Sequence, residues 1–92
     1  MSEKLPPIHP GEILLEEFLR PLNISMDKLA EATHVPANRI TQICAGDQTV
    51  SGEMALRLAR YFGTSAAFWL GMQMDYDLEV ARDAGNGTKN GY

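Results

Sequence analysis

Apolar residues recur at helical spacing through most of this chain, and the breaks in that spacing divide it into five helices. Over residues 10–22, Leu14, Phe18 and Leu22 fall on one line and Leu15 and Leu19 on its neighbour, the stripe of a helix of about three turns. Pro10 suits the first turn, where a missing N–H is harmless, and Pro21 predicts an end or a kink near Leu19 or Arg20. Ser25 has the side-chain oxygen to cap a second helix, which should stop at Thr33 or His34. A third helix is expected from Pro36 to a left-handed stop at Gly46, followed by a loop over residues 47–52.

Ser51 caps a fourth helix, in which Met54, Ala55, Leu58, Ala59 and Phe62 form the buried stripe, Arg57 and Arg60 point outward, and Gly63 closes the end. A fifth begins at Thr64 or Ser65 and runs through AAFWLGMQ, apolar on almost every side. Such a helix is either central to the core or covered by a second subunit, so Phe68, Trp69 and Met72 are the residues expected to form a homodimer interface. Tyr76, Leu78, Val80 and Ala81 keep helical spacing beyond it, which leaves room for a short extra C-terminal helix. The chain carries no strand signal. The expectation is an all-α, five-helix domain over residues 9–84, preceded by a mobile proline-bearing segment (1–8) and followed by a disordered tail (85–92) with little to anchor it.

The second and third helices make the most informative unit. Leu29 and Ala30, Val35 just after the turn, and Ile40 and Ile43 converge on one small core, the arrangement of a helix-turn-helix. In that unit the second helix lies in the major groove of DNA with its amino-terminal residues at the base edges. Ala37, Asn38, Arg39, Thr41 and Gln42 would then read bases: Asn and Gln can offer a donor and an acceptor together to adenine, and Arg can bind guanine with two bonds. Ser25 and Lys28 at the start of the first helix of the pair, and Gln48 and Thr49 in the loop after the second, are the expected phosphate contacts. His34 occupies the turn, where positive φ is needed and histidine tolerates it better than most residues.

Charge narrows this reading. The 92 residues carry a net charge of −4, which argues against indiscriminate nucleic-acid binding, so a DNA-facing surface must be local. The acidic remainder suits a basic protein partner. One cysteine, Cys44, forms no internal disulfide and reads as a small buried hydrophobe. His9 and His34 lie in different elements without a metal-spaced partner, and Glu16 and Glu17 are adjacent and so diverge on their helix; neither a metal site, a cofactor site nor a catalytic pair is expected. No segment has the length or apolarity of a signal peptide or a membrane span, which predicts a cytoplasmic protein, and with no nucleophile and base within one element no enzyme is expected.

At HPGEILLEEFLRPLNIS, LAEATHVPANRITQICAG and MALRLARYFGTSAAFWLGMQMDYDL the chain resembles the phage repressor and Cro-like helix-turn-helix family, often called XRE, and within it the HigA type of toxin-antitoxin antidotes. The resemblance spans most of residues 9–78. It implies a lambda-repressor-like homodimer that binds operator DNA, represses its own operon and neutralises a small basic, RelE-like toxin that cleaves messenger RNA. It places base contact on Ala37, Asn38 and Gln42, with Arg39 and Thr41 adjacent. The alternatives are a stand-alone XRE-type regulator and a protein-interaction adaptor without DNA binding. The chain departs from many such relatives in having Ala45, Gly46 and Asp47 where they carry Asn-Gly and a basic residue, and an acidic Asp47 near phosphates opposes binding.

Overall fold

The computed structural model describes residues 6–88, so positions 1–5 of the expected mobile segment and 89–92 of the expected tail lie outside the described residues. Five helices and no strand make up the described residues. The first, α1, covers residues 10–22 in three continuous pieces, α-helical Pro10–Ile13, π-helical Leu14–Leu19 and α-helical Arg20–Leu22. Then come α2 (Met26–Thr33), α3 (Ala37–Cys44), α4 (Gly52–Phe62) and α5 (Ala66–Thr88).

The π-helical piece corrects the expectation for Pro21. A proline needs room at the carbonyl four residues earlier and donates no bond there. Widening the helix shifts the bonding, so that the Arg20 N–H reaches the Leu15 carbonyl, and the chain passes through Pro21 without breaking. The wider turn also changes the stripe. Leu14 and Leu19, five apart, are both buried, whereas Leu22 swings out to 56 % exposure. Helix α1 therefore ends at Asn23, in the left-handed conformation (φ 57°), with the Ile24 N–H closing onto the Leu19 carbonyl at 2.9 Å.

The same device ends α2 at His34 (φ 59°) and α3 at Gly46 (φ 82°), each with a bond from the next residue back to the last turn: Val35 N–H to Ala30 and Asp47 N–H to Gln42. Serines open the helices as expected. Ser25 Oγ accepts the Lys28 N–H, Ser51 Oγ the Met54 N–H and Ser65 Oγ the Phe68 N–H. Pro36 caps α3 from outside rather than starting it.

Leu29, Ile40, Ile43, Met54, Leu58 and Trp69 are fully buried and form one core with Leu14, Leu19, Val35 and Val50. Trp69 lies among the rings of Phe18, Phe62 and Phe68, with its indole N–H donated to Thr64 Oγ1 at 2.8 Å. Helix α5 is one continuous helix to Thr88, so the expected fifth and extra helices are the same element and residues 85–88 of the expected tail are helical. Its first half packs on α4 and α1, and Leu78 and Val80 further along are exposed. Among the described residues no helix is long and apolar enough to cross a membrane.

Candidate nucleic-acid interface

Helix α3 owes its position to contacts at both ends. At its start, Arg57 of α4 donates Nη1 to the Thr33 carbonyl at 2.6 Å, and Glu53 holds the same guanidinium at 3.0 Å, which ties the α2–α3 turn to α4. Arg57 is thus half-buried, not outward; Arg60 is exposed as expected. At the other end, α1 packs backbone to backbone on α3: a β-carbon at Gly11 would overlap the Ile43 carbonyl. His9 sits over Gly46 and caps α1, its Nδ1 accepting the Gly11 N–H at 2.8 Å. The HPG triplet is therefore a docking device, with Pro10 at the first helical position and His9 and Pro10 buried beside Gly11.

So held, α3 turns Ile40, Ile43 and Cys44 inward and presents Ala37, Asn38, Thr41 and Gln42 to solvent. Arg39 is half-buried, its guanidinium donating to Ser51 Oγ at 3.3 Å, so the head of α3 and the cap of α4 share a contact. The Thr41 hydroxyl donates to the Ala37 carbonyl at 3.1 Å, and its oxygen lies 3.8 Å from the Met26 sulfur. Ser25, Lys28, Gln48 and Thr49 are all exposed, the first two at the start of α2 and the others in the loop that leaves α3. The Cys44 thiol is pushed up in pKa by burial, which suits an inert core residue.

Asp47 is exposed, and its charge also acts inward. With Asp77 it favours the protonated form of His9, as does the hydrogen bond from that imidazole to the Gln48 carbonyl, but desolvation is larger and holds the His9 pKa below its usual value.

The expected dimer residues divide. Trp69 is fully buried within one protomer and has no surface to offer a second, which removes it from any interface. Phe68 is 40 % exposed. Met72 is half-buried and lines an open groove of about 370 Å³ with Ile8, Ile13 and Tyr76. The larger apolar face lies elsewhere on α5, where Ala67, Leu70, Met74, Leu78 and Ala81 recur every three or four residues and are exposed. Periodicity could not separate two apolar faces of one helix.

Gln73, His9, Gly11 and Arg57 are the structural residues that spacing alone passed over. A signal existed for Gln73, as the one polar residue on the Trp69 line of an apolar run, and for Gly11, as a glycine in a first helical turn.

A helix-turn-helix family model matches residues 15–69, and the chain belongs to that family, in its XRE branch. Its structural neighbours include HigA antitoxins. It is similar to the Pseudomonas aeruginosa antitoxin HigA, solved with the higBA promoter, at 44 % identity and a TM-score of 0.86 over 91 % of each chain. An addiction module antidote protein of the HigA family from Coxiella burnetii matches 96 % of this chain and 98 % of its own at 39 % identity and a TM-score of 0.86. Virulence-associated protein I of Dichelobacter nodosus is 49 % identical over 80 residues, 87 % of this chain and 74 % of that protein.

Proposed function

We propose that the protein is the antitoxin of a type II toxin-antitoxin module, which binds operator DNA to repress its own operon and neutralises a small basic, RelE-like toxin by direct contact. The observation that carries the DNA half is the exposed face of α3: Ala37, Asn38, Thr41 and Gln42 stand clear of the core at the head of a helix whose position is tied at both ends. Arg39 supplies positive charge beside them, and the exposed Ser25, Lys28, Gln48 and Thr49 flank them as phosphate contacts. The likeness to a HigA solved with its promoter supports the same reading.

A homodimer presents two such helices to two half-sites. The second apolar face of α5, through Leu70, Met74 and Leu78, supports pairing along that helix, with Ala67 and Gly71 allowing close approach. A β-carbon at Gly71 would meet nothing within 4 Å, so the approach is open. The acidic net charge complements a basic toxin. Such a module works in the cytoplasm and needs no cofactor.

Two measurements test the proposal. The protein should bind a duplex from the DNA upstream of its own gene in preference to a scrambled duplex of the same length. The product of the neighbouring reading frame should arrest growth alone and form a complex with this protein that restores it. A neighbour that is harmless when expressed alone removes the antitoxin half; equal binding of both duplexes removes the operator half.

A further inference from the structure

Gln73 lies one turn beyond Trp69 on α5 and is buried, 6 % exposed. Its Oε1 accepts the backbone N–H of Val50 at 2.8 Å, and its Nε2 donates to Asp77 Oδ1 at 2.9 Å. A carboxylate at position 77 only accepts, so it fixes which way round the amide sits and leaves the carbonyl oxygen for Val50. His9 holds the same loop two residues earlier. With Nδ1 taken up by the Gly11 N–H, the remaining ring nitrogen serves the Gln48 carbonyl, while the ring packs against Tyr76 at 4.9 Å and Asp77 acts on its charge. The loop is therefore held at two points, by His9 at Gln48 and by Gln73, itself oriented by Asp77, at Val50. Both ends of residues 48–50 are gripped from inside the fold, and the side chains of Gln48 and Thr49 remain exposed on the other side.

We infer that Gln73 and Asp77 are positioning residues for DNA binding, which hold the backbone of residues 48–50 through the Val50 amide so that Gln48 and Thr49 face the phosphates. This rests on the operator binding proposed above. It gives a role to Gln73 and Asp77 of the QMDYD stretch, which the core and the reading helix leave unused. A leucine at position 73 would strand a buried N–H, and the loop would have to turn that group toward water. Loop contacts to phosphate would be lost while the base-reading face of α3 stayed in place.

The test compares Gln73→Leu, Gln73→Glu and the double variant Gln73→Glu/Asp77→Asn in the full chain, below the melting temperature of all of them. The Gln73→Glu side chain can still accept from Val50, but it sets two carboxylates against each other. Adding Asp77→Asn restores a donor between the two side chains and returns the net charge to that of the parent. Gln73→Leu and Gln73→Glu should each bind the upstream duplex about tenfold more weakly, and the salt slope of Gln73→Leu should match the parent's, because Gln48 and Thr49 carry no charge. Their preference for that duplex over a scrambled one should persist. The double variant should return to within about threefold of the parent. Hydrogen exchange at the Val50 amide should be fast in both single variants and slow again in the double.

Unchanged affinity in Gln73→Leu, or a double variant no better than Gln73→Glu, overturns the assignment while leaving operator binding intact. If Gln73→Leu does not fold, the comparison of Gln73→Glu with the double variant decides. A parent that binds both duplexes equally overturns operator binding and this assignment together.

Discussion

The backbone of Gly11 rests on the carbonyl of Ile43, so α1 meets α3 with no side chain between them. Gly11→Ala must push these two backbones apart, and neither is the flexible end of a side chain that could yield. We expect a loss at or above the upper end of the ~1–3 kcal/mol typical of overpacking, measured by urea unfolding. Operator affinity should fall as well, because Ile43 belongs to α3. A variant as stable as the parent would show that α1 can lift without cost.

His9 predicts a pH dependence. Its pKa is lowered in the folded protein, chiefly by desolvation, and the opposing influences of Asp77, the Gln48 carbonyl and Asp47 do not cancel this. The unfolded chain therefore binds the proton more readily than the folded one, and stability rises with pH. The contribution is fully present above the unfolded value near 6.5 and is lost as pH falls through it toward the lower folded value. His9→Asn keeps an acceptor for the Gly11 N–H and removes the titration, so its melting temperature should vary less than the parent's between about pH 5 and 7. Equal slopes in the two proteins would remove His9 as the source.

Asn38 and Gln42 separate reading from folding. Both side chains are exposed, one turn apart, and the core residues Ile40 and Ile43 lie on the other side of α3. Replacing both with alanine should leave the thermal melt unchanged and cost about 1–3 kcal/mol of discrimination per lost base contact. Arg39→Ala should instead weaken all sequences evenly and flatten the salt dependence if it meets phosphate, or behave like the pair if it reads guanine. Affinities for operator and scrambled duplexes decide this. A double variant that keeps the full operator preference would show that this helix is not the reader.

Met74 and Leu78 are 58 % and 46 % exposed on the outer face of α5, whereas Trp69 is wholly buried. Met74→Glu/Leu78→Glu should therefore yield a folded monomer by sedimentation. Trp69→Ala should instead destabilise the protomer by about 3–5 kcal/mol, since it empties the core and leaves the Thr64 hydroxyl without the indole donor. Sedimentation of the unmutated protein as a monomer at high concentration would sink the proposed dimer.

Five helices, most of their caps and the converging set of Leu29, Ala30, Val35, Ile40 and Ile43 were legible in the order of residues alone. These are local properties: spacing within one helix, a serine before it, a residue that tolerates positive φ after it. The solvent-facing side of α3 was legible too, because the inward positions of a short amphipathic helix leave only one face for Asn38 and Gln42. Other features depend on which surface meets which, and these emerged only in three dimensions. Pro21 passes through α1 because a π-helical piece widens the turn ahead of it, and that shift turns Leu22 out. Trp69 and Met74 are both apolar positions on the same helix, yet packing against Phe18 and Phe62 buries the first and leaves the second exposed. Gln73 and Val50, like Tyr76 and His9, are far apart along the chain and meet only because α5 packs against the rest of the fold. Helical periodicity gives each side chain a direction around its own axis; the burial, hydrogen-bond partner and charge it meets there are set by the neighbouring helix.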